Sequence, residues 1–583
     1  MRQKRVLPIA IVFFMVAALI ASLMGTGGCA KTKEVAESGE RPLYGGTLNM
    51  ALMADPSGFD DAVRTHSSVY PLKLTHEELW EGDWTKGNAG GYGTGECDWF
   101  LGANNRLEHK AGALAESWEI QDKDTVVFHL RKGVHWHNKP PTNGREVTAE
   151  DVVFSWNRQC TATTAYIRTA YPKLCATAEV SAPDPYTVVF KFNDPNQFAN
   201  WFTMSEYWYV YPKDAIEEFG NMMDWKNNIG SGPFTITDYV AGNMVTFARN
   251  PNYWGKNPIG PGKGDQLPYV DEVKMFVIPD DSTRYAAFRT GQIDILTCDW
   301  EAAPEFLAMP QLKYVRYLPT GYNVIYMRTD KKDSPYASRK VRQALMLAID
   351  HKKILNEYYG GEGALLIWPM TYMKEYADVY VPLEQLPKSV QEQFEYNPEK
   401  AKQLLAEAGY PNGFKTKVIC YMTRYQTDVL SMVKDMWAKV GVELEIEPKD
   451  YGTWLSICVR RSYDDMLMGT YAGANSYIVG VNWSGSGMNN GSYIDDPVLN
   501  DTRDKIMAAF PNEAEADRIY RDMVPYLLDQ AYVIQLPMHY LYRFWWPWVK
   551  NYSGEMSVGF WNEYNFVKYV WIDQQMKSSM LGK

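Results

Sequence analysis

Three histidines stand close together at His129, His135 and His137. The His-x-His pair would set two imidazoles on one side of a strand, as a metal site requires. No cysteine or carboxylate stands at a matching spacing, so structural histidines are the better reading and no metal is expected. Hydrolytic chemistry finds no foothold: G-x-S-x-G and H-E-x-x-H are absent, and the 70 acidic side chains offer no pair that sequence singles out. A G-x-x-x-x-G-K-[ST] phosphate loop is absent too, and no cofactor is implied. Past the leader the cysteines are Cys97, Cys160, Cys175, Cys298, Cys420 and Cys458, with no C-x-x-C among them. Cys160 and Cys175 could close a local disulfide loop in an oxidising compartment; a buried free thiol is the alternative for each. The stretch from Tyr451 to Tyr493 holds the most suggestive chemistry. In it Tyr451, Trp454, Tyr471, Asn475, Ser476, Tyr477, Asn482, Trp483, Asn489 and Asn490 stand among small residues. Aromatic faces beside amide and hydroxyl groups suit a neutral polyhydroxylated ligand such as an oligosaccharide. They suit equally a peptide held by its backbone, and the same rings could instead pack within the core.

These residues belong to a 583-residue chain that is 14% aromatic and carries a net charge of −11. Length predicts two to four structural units. An acidic chain lacks the clustered cations that nucleic-acid phosphates require. A single long apolar run, Val6 to Met24, excludes a multipass membrane protein. Basic residues precede that run and Gly25-Thr-Gly-Gly-Cys29 follows it, the make-up of an export signal. An uncleaved anchor or a simply secreted protein are the alternatives, and all three place the remainder outside the cytoplasm. The small residues before Cys29 resemble the lipobox of bacterial lipoproteins, which implies a lipidated Cys29 at the mature N-terminus and a lipid attachment to the membrane. Thr26 stands where that motif usually has Leu. Residues 30–41 are small and polar, as in a flexible tether.

The elements that would position the chemistry follow from pattern. Gly46 to Leu52, Thr125 to Leu130 and Thr187 to Phe192 read as strands. Thr148 and Asp151 form a capping box opening a helix through Val152, Val153 and Trp156. Two alternating runs around Ala241-Gly242-Asn243 predict a hairpin over Gly232 to Phe247. Residues 82–105 lack periodicity and read as a surface excursion. Ser338 to Ile349 is helical, and Asn397, Pro398 and Gly409 cap, open and close a further helix. A strand (Lys417 to Tyr421), a helix (Gln426 to Val440) and a strand (Glu443 to Glu447) follow. Strands alternating with helices predict an α/β architecture with crossovers.

Several of these segments carry a resemblance. Gly45-Gly-Thr-Leu48, Ala113-Leu-Ala-Glu-Ser-Trp118, Phe128 to His137, Val147 to Trp156, Gly230-Ser-Gly-Pro-Phe234 and Arg249-Asn-Pro-Asn-Tyr-Trp254 are the first pieces. Val341-Arg-Gln-Ala-Leu345, Ala348-Ile-Asp350, Asn397 to Gly409 and Val570-Trp-Ile-Asp573 complete them. In this order they resemble the family 5 extracellular solute-binding proteins of ABC transporters, over about residues 45–573. The resemblance implies a two-lobed α/β fold of the periplasmic-binding-protein type II-like kind, with a hinge and an extra subdomain in the first lobe. It implies a signal peptide (1–28), a lipidated tether (29–44), the first lobe in three parts (45–80, 226–318 and 540–583), the extra subdomain (81–225) and the second lobe (319–539). The implied role is non-enzymatic: a monomer that holds a solute, most often a peptide, between its lobes and hands it to permease subunits. An exported hydrolase, or a surface receptor or chaperone, is the alternative class.

The resemblance also implies site residues. Tyr451 matches an aromatic cleft residue of the peptide binders, and Asp55, Ser57 and Phe59 fall on a loop that usually lines the cleft. With Trp454, Tyr471, Asn475, Tyr477 and Trp483 they make up the expected ligand-binding set. In peptide-binding relatives a G-W-x-x-D pattern supplies an aspartate for the peptide's α-ammonium group. Here the pattern reads Gly469-Thr-Tyr-Ala-Gly473, with Leu467 where a nearby arginine is usual. A buried ammonium without its counter-ion is costly, and this departure shifts weight toward a neutral ligand.

Overall fold

The computed structural model describes residues 39–64, 69–319, 324–469, 477 and 490–582. Residues 42–583 form one compact unit, and residues 1–41 a unit of their own. Among the described residues no helix is long and apolar enough to cross a membrane.

Four sheets carry the architecture. In the first, Thr47–Leu52 runs parallel to Glu272–Val277, which pairs antiparallel with Met244–Arg249 and through it with Phe234–Val240. Leu48, Met50 and Leu52 alternate inward, as a strand with one buried face demands. The predicted hairpin turns at Gly242, whose φ of +70° glycine adopts without strain. A second, all-antiparallel sheet orders Ala115–Ile120, Thr125–Leu130, Thr187–Phe192 and Ala178–Asp184. The helix Ala149–Thr161 packs on it, and Asp151 Oδ2 accepts from the Thr148 N–H at 3.1 Å in the expected capping box. Cys160, near the end of this helix, is disulfide-bonded to Cys175, with Cα atoms 5.1 Å apart. Cys97, Cys298, Cys420 and Cys458 are free thiols.

The third sheet has the order Val442–Lys449, Phe414–Tyr421, Met466–Gly469, Val324–Met327, Val533–Gln535. Its first three strands are parallel, and the helix Arg424–Ala438 makes the crossover between two of them. The helix Pro398–Glu407 starts at Asn397, whose Oδ1 accepts from the Lys400 N–H at 3.0 Å, and Gly409 follows at φ +95°. The strand at Phe414 begins three residues before its apolar alternation, because Phe414 to Thr416 pair with Val442 to Leu444.

A fourth, three-stranded sheet brings distant chain segments together. Leu541–Trp545 lies between Ile295–Asp299 and Lys313–Tyr317, antiparallel to both. Beside it the buried Asp294 accepts from the Asn49 N–H at 2.7 Å, from Trp548 Nε1 at 2.8 Å and from Lys577 Nζ at 2.7 Å. The beginning, middle and end of the chain thus meet at one carboxylate.

Most of the aromatic excess is packing. Trp80, Trp84, Trp99, Trp136, Trp156, Trp201, Trp208, Trp437 and Trp548 are all fully buried. Trp80 meets Phe128 edge-on at 5.0 Å, a ring geometry that stabilises beyond area alone. Residues 82–105 are irregular, as expected, yet they are not a loose surface excursion. Trp84 stacks on Tyr569 at 4.1 Å, and Cys97 and Trp99 are buried.

Candidate ligand-binding cleft

Parallel strands place their carboxyl ends, and the amino ends of the helices that follow, on one edge of a sheet, where α/β proteins bind ligands. In the third sheet that edge is formed by Tyr421, Lys449 and Gly469, with the helices Arg424–Ala438 and Tyr451–Arg460 starting there. Tyr451, at the first position of its helix, is 55% exposed and lies 5.3 Å from the Tyr421 ring. Met422 beside it is 63% exposed. Asp450 caps this helix, accepting from the Thr453 N–H at 3.1 Å and from Thr453 Oγ1 at 2.6 Å, and these bonds hold its carboxyl below the usual range. Trp454 is buried one turn on, with Nε1 donating to the Met468 carbonyl at 3.0 Å. Its ring backs Tyr451 and ties the helix to the central strand.

The corresponding edge of the first sheet holds Leu52, Val277 and the hairpin tip. Met53 is 70% exposed there. Asp55 accepts from Tyr239 Oη at 3.0 Å and from the Gly242 N–H at 2.9 Å, so its carboxylate holds the hairpin tip. Burial and Asp55 together push the Tyr239 hydroxyl up to about 12. Ser57 is exposed, and its carbonyl accepts from Arg64 Nε at 3.4 Å. Phe59 is buried against Tyr239, their ring centroids 5.3 Å apart. Tyr477 is buried too, packed on Phe510 at 5.6 Å and Phe202 at 6.2 Å. Tyr471, Asn475 and Trp483 lie outside the described residues.

Within the expected set, then, Tyr451 and Trp454 come together on one rim, and Asp55, Ser57 and Phe59 on another. Sequence reasoning missed Tyr421, Met422 and Met53, whose only signal was their place just inside or beyond a strand end. It missed also that Arg424 reaches Glu301 at 3.2 Å, and that Trp300 lies 4.3 Å from His539 and 4.8 Å from Tyr359. Gly469 and Gly491 have a packing reason: a Cβ added at either would come within 2.5 Å of the Tyr326 ring. Between and around them, Met466 through Ile494 contains no charged residue.

Each of the three histidines faces a protein group. His137 is buried, its Nδ1 accepting from the Gly230 N–H at 3.1 Å and its Nε2 lying 3.2 Å from the Gly232 carbonyl. Burial lowers its pKa to about 3, so the ring is neutral. His135 Nδ1 faces the Gly144 carbonyl and His129 faces Glu119. Among the described residues no cluster of His, Cys, Asp or Glu could hold a metal ion.

This arrangement of sheets and edges has close counterparts. The chain is 28% identical over 459 residues to heme-binding protein A of Haemophilus influenzae, covering 72% of this chain and 76% of that one. It is 29% identical over 398 residues to the dipeptide-binding protein of Escherichia coli, covering 63% and 69%. The periplasmic binding protein DppA of Helicobacter pylori, solved with the peptide STSA, superposes with a TM-score of 0.70 at 23% identity, over 91% of this chain and 99% of its own. The oligopeptide-binding protein AppA of Bacillus subtilis, solved with a nonapeptide, does so at 0.67 and 19%, over 91% and 100%. The fold is therefore the two-lobed α/β fold of periplasmic binding proteins. The family model for the middle region of the bacterial extracellular solute-binding proteins, family 5, matches residues 111–492, and to that family the chain belongs.

Proposed function

We propose that this protein is the substrate-binding lipoprotein of an ABC importer, carrying peptides from outside the cytoplasm to permease subunits. Cys29 would carry the lipid, and the lobes would follow the boundaries given above, with ligand enclosed between the third sheet's rim and the first sheet's. The observation that carries this reading is the pair of strand-end rims bearing exposed Met53 on one side and Met422 and Tyr451 on the other. Flexible thioether and aromatic groups accommodate varied side chains. The names of relatives, which include dipeptide- and oligopeptide-binding proteins, agree with it. Closure follows because a ligand touching both rims binds the closed state better than the open one.

A second reading, an oligosaccharide or other uncharged ligand, is favoured by the charge-free run from Met466 to Ile494 and by Gly473 in place of the ammonium-binding aspartate. A thermal-shift panel of peptides, N-acetylated peptides and cello- and xylo-oligosaccharides separates the two. Stabilisation by peptides and not by sugars supports the first reading, and the reverse supports the second. Tyr451→Ala should weaken the confirmed ligand about tenfold, the loss of one stacking contact of about 1–1.5 kcal/mol; unchanged affinity removes Tyr451 from the site. Turnover of any panel ligand would overturn the non-enzymatic reading. Cys29→Ser should abolish incorporation of a labelled fatty acid into the protein, and label retained by the variant, or absent from the wild type, would overturn Cys29 as the lipid site.

A further inference from the structure

Away from both rims, three consecutive residues of the extra subdomain reach into the second lobe. The Asn105 N–H donates to Tyr376 Oη at 3.3 Å and the Leu107 N–H to Glu513 Oε2 at 2.9 Å. Between them Arg106 Nε donates to the Glu375 carbonyl at 2.8 Å, Nη1 to Asp517 Oδ2 at 2.9 Å and Nη2 to Asp378 Oδ1 at 2.9 Å. Its guanidinium also lies 4.5 Å over the Tyr376 ring. Beside this polar group Phe510 is wedged against Phe198 and Phe202, each at 4.7 Å.

The subdomain is itself fixed to the first lobe. Arg158 holds the buried Asp60 through two bonds of 2.6 and 2.8 Å. Lys568 Nζ donates to Glu81 Oε1 at 2.5 Å, and Trp84 stacks on Tyr569. Subdomain and first lobe therefore move as one body, and Arg106 is that body's charged grip on the other lobe, beside the Phe510 packing and the Arg424–Glu301 and Trp300–His539 contacts.

We propose that Arg106 is the latch of the closed state, a positioning residue that sets ligand affinity without touching ligand. A buried guanidinium is tolerated only while its charge is matched and its donors are engaged. Every partner of this one belongs to the second lobe, so opening would break all of its contacts at once. Ligand enters and leaves through the open form and is held by the closed one, so release quickens and apparent affinity falls as the closed form loses stability. The inference rests on the lobe assignment above.

Small-angle scattering of the ligand-free protein, with stopped-flow release of a confirmed ligand, tests it. Arg106→Gln should raise the radius of gyration by about 1 Å over the roughly 24 Å expected for a compact chain of this length. Ligand release should quicken at least tenfold with little change in the association rate. Arg106→Lys, which keeps the charge and loses the fork, should fall between the two. Asp517→Asn, which leaves Arg106 paired with Asp378, should move both readouts the same way by a smaller amount. A folded Arg106→Gln protein with wild-type radius and release rate overturns the latch. If that variant does not fold, Asp517→Asn with both readouts unchanged overturns it equally. The scattering arm needs no ligand, so failure of the transport reading and failure of the latch remain distinguishable.

Discussion

Glu513 shows how a single carboxyl can tie stability to pH. Burial raises its pKa from 4.5 to about 7, against the lowering effects of the Leu107 N–H and of Arg106. A folded pKa above the unfolded one means that the folded state binds the proton more tightly. The stability this supplies is complete below the unfolded pKa and is lost as pH rises through about 7. Glu513→Gln should therefore flatten the fall in melting temperature between about pH 5 and 8, and a variant with the wild-type slope would refute the assignment. The buried histidines act in the opposite sense. His76 and His137 are lowered to about 3 and His351 to about 4, so each favours the folded state as pH rises through the acid range. Comparing variant with wild type removes their contribution. Asp55 illustrates what sequence could not show at this scale. Its place after the first strand was legible, but its carboxylate is engaged by a hairpin far along the chain. Only the folded register of that hairpin brings Gly242 to it.

Local elements were the most legible level, because their signals lie within one turn or one strand. The capping box at Thr148, the Asn397–Pro398 helix start and the turn at Gly242 stand where side-chain chemistry required. Residues 82–105 were misjudged for the same reason: with no local period, nothing in them reveals that Trp84 finds Tyr569 near the other end of the chain. The disulfide was legible as one of two alternatives, since spacing cannot report whether two Cα atoms approach. Its sequence separation of 15 closes a short loop across the end of Ala149–Thr161. Replacing both cysteines by serine should cost about 3 kcal/mol in equilibrium denaturation, from the chain entropy returned to the unfolded state. A loss well below 1 kcal/mol would show that Ile167 and Leu174, buried within the same loop, already hold it in place.

At the scale of the whole molecule, the alternation of strands and helices implied α/β layers, while lobes and hinge came from resemblance alone. Periodicity carries no record of which distant strands pair, and here the decisive pairings are distant. The rim of the third sheet illustrates the same limit: Met422 and Tyr451 lie in separate stretches of sequence, and only the parallel pairing of Phe414–Tyr421 with Val442–Lys449 gives them a common setting.

Asp294 carries a further consequence, for the order in which the molecule can be made. Its three partners come from the first strand, from Trp548 and from Lys577. The middle strand of the adjacent sheet, Leu541–Trp545, also follows both of its partners by more than 200 residues. Pairings between such remote segments form slowly, because long loops must close first. A chain delivered amino end first thus keeps two strands unpaired until Leu541–Trp545 emerges, and one carboxylate without its cation until Lys577 does. Losing the helix Gln574–Leu581 would leave that buried charge uncompensated, so a residue 283 positions away decides whether Asp294 can stay buried.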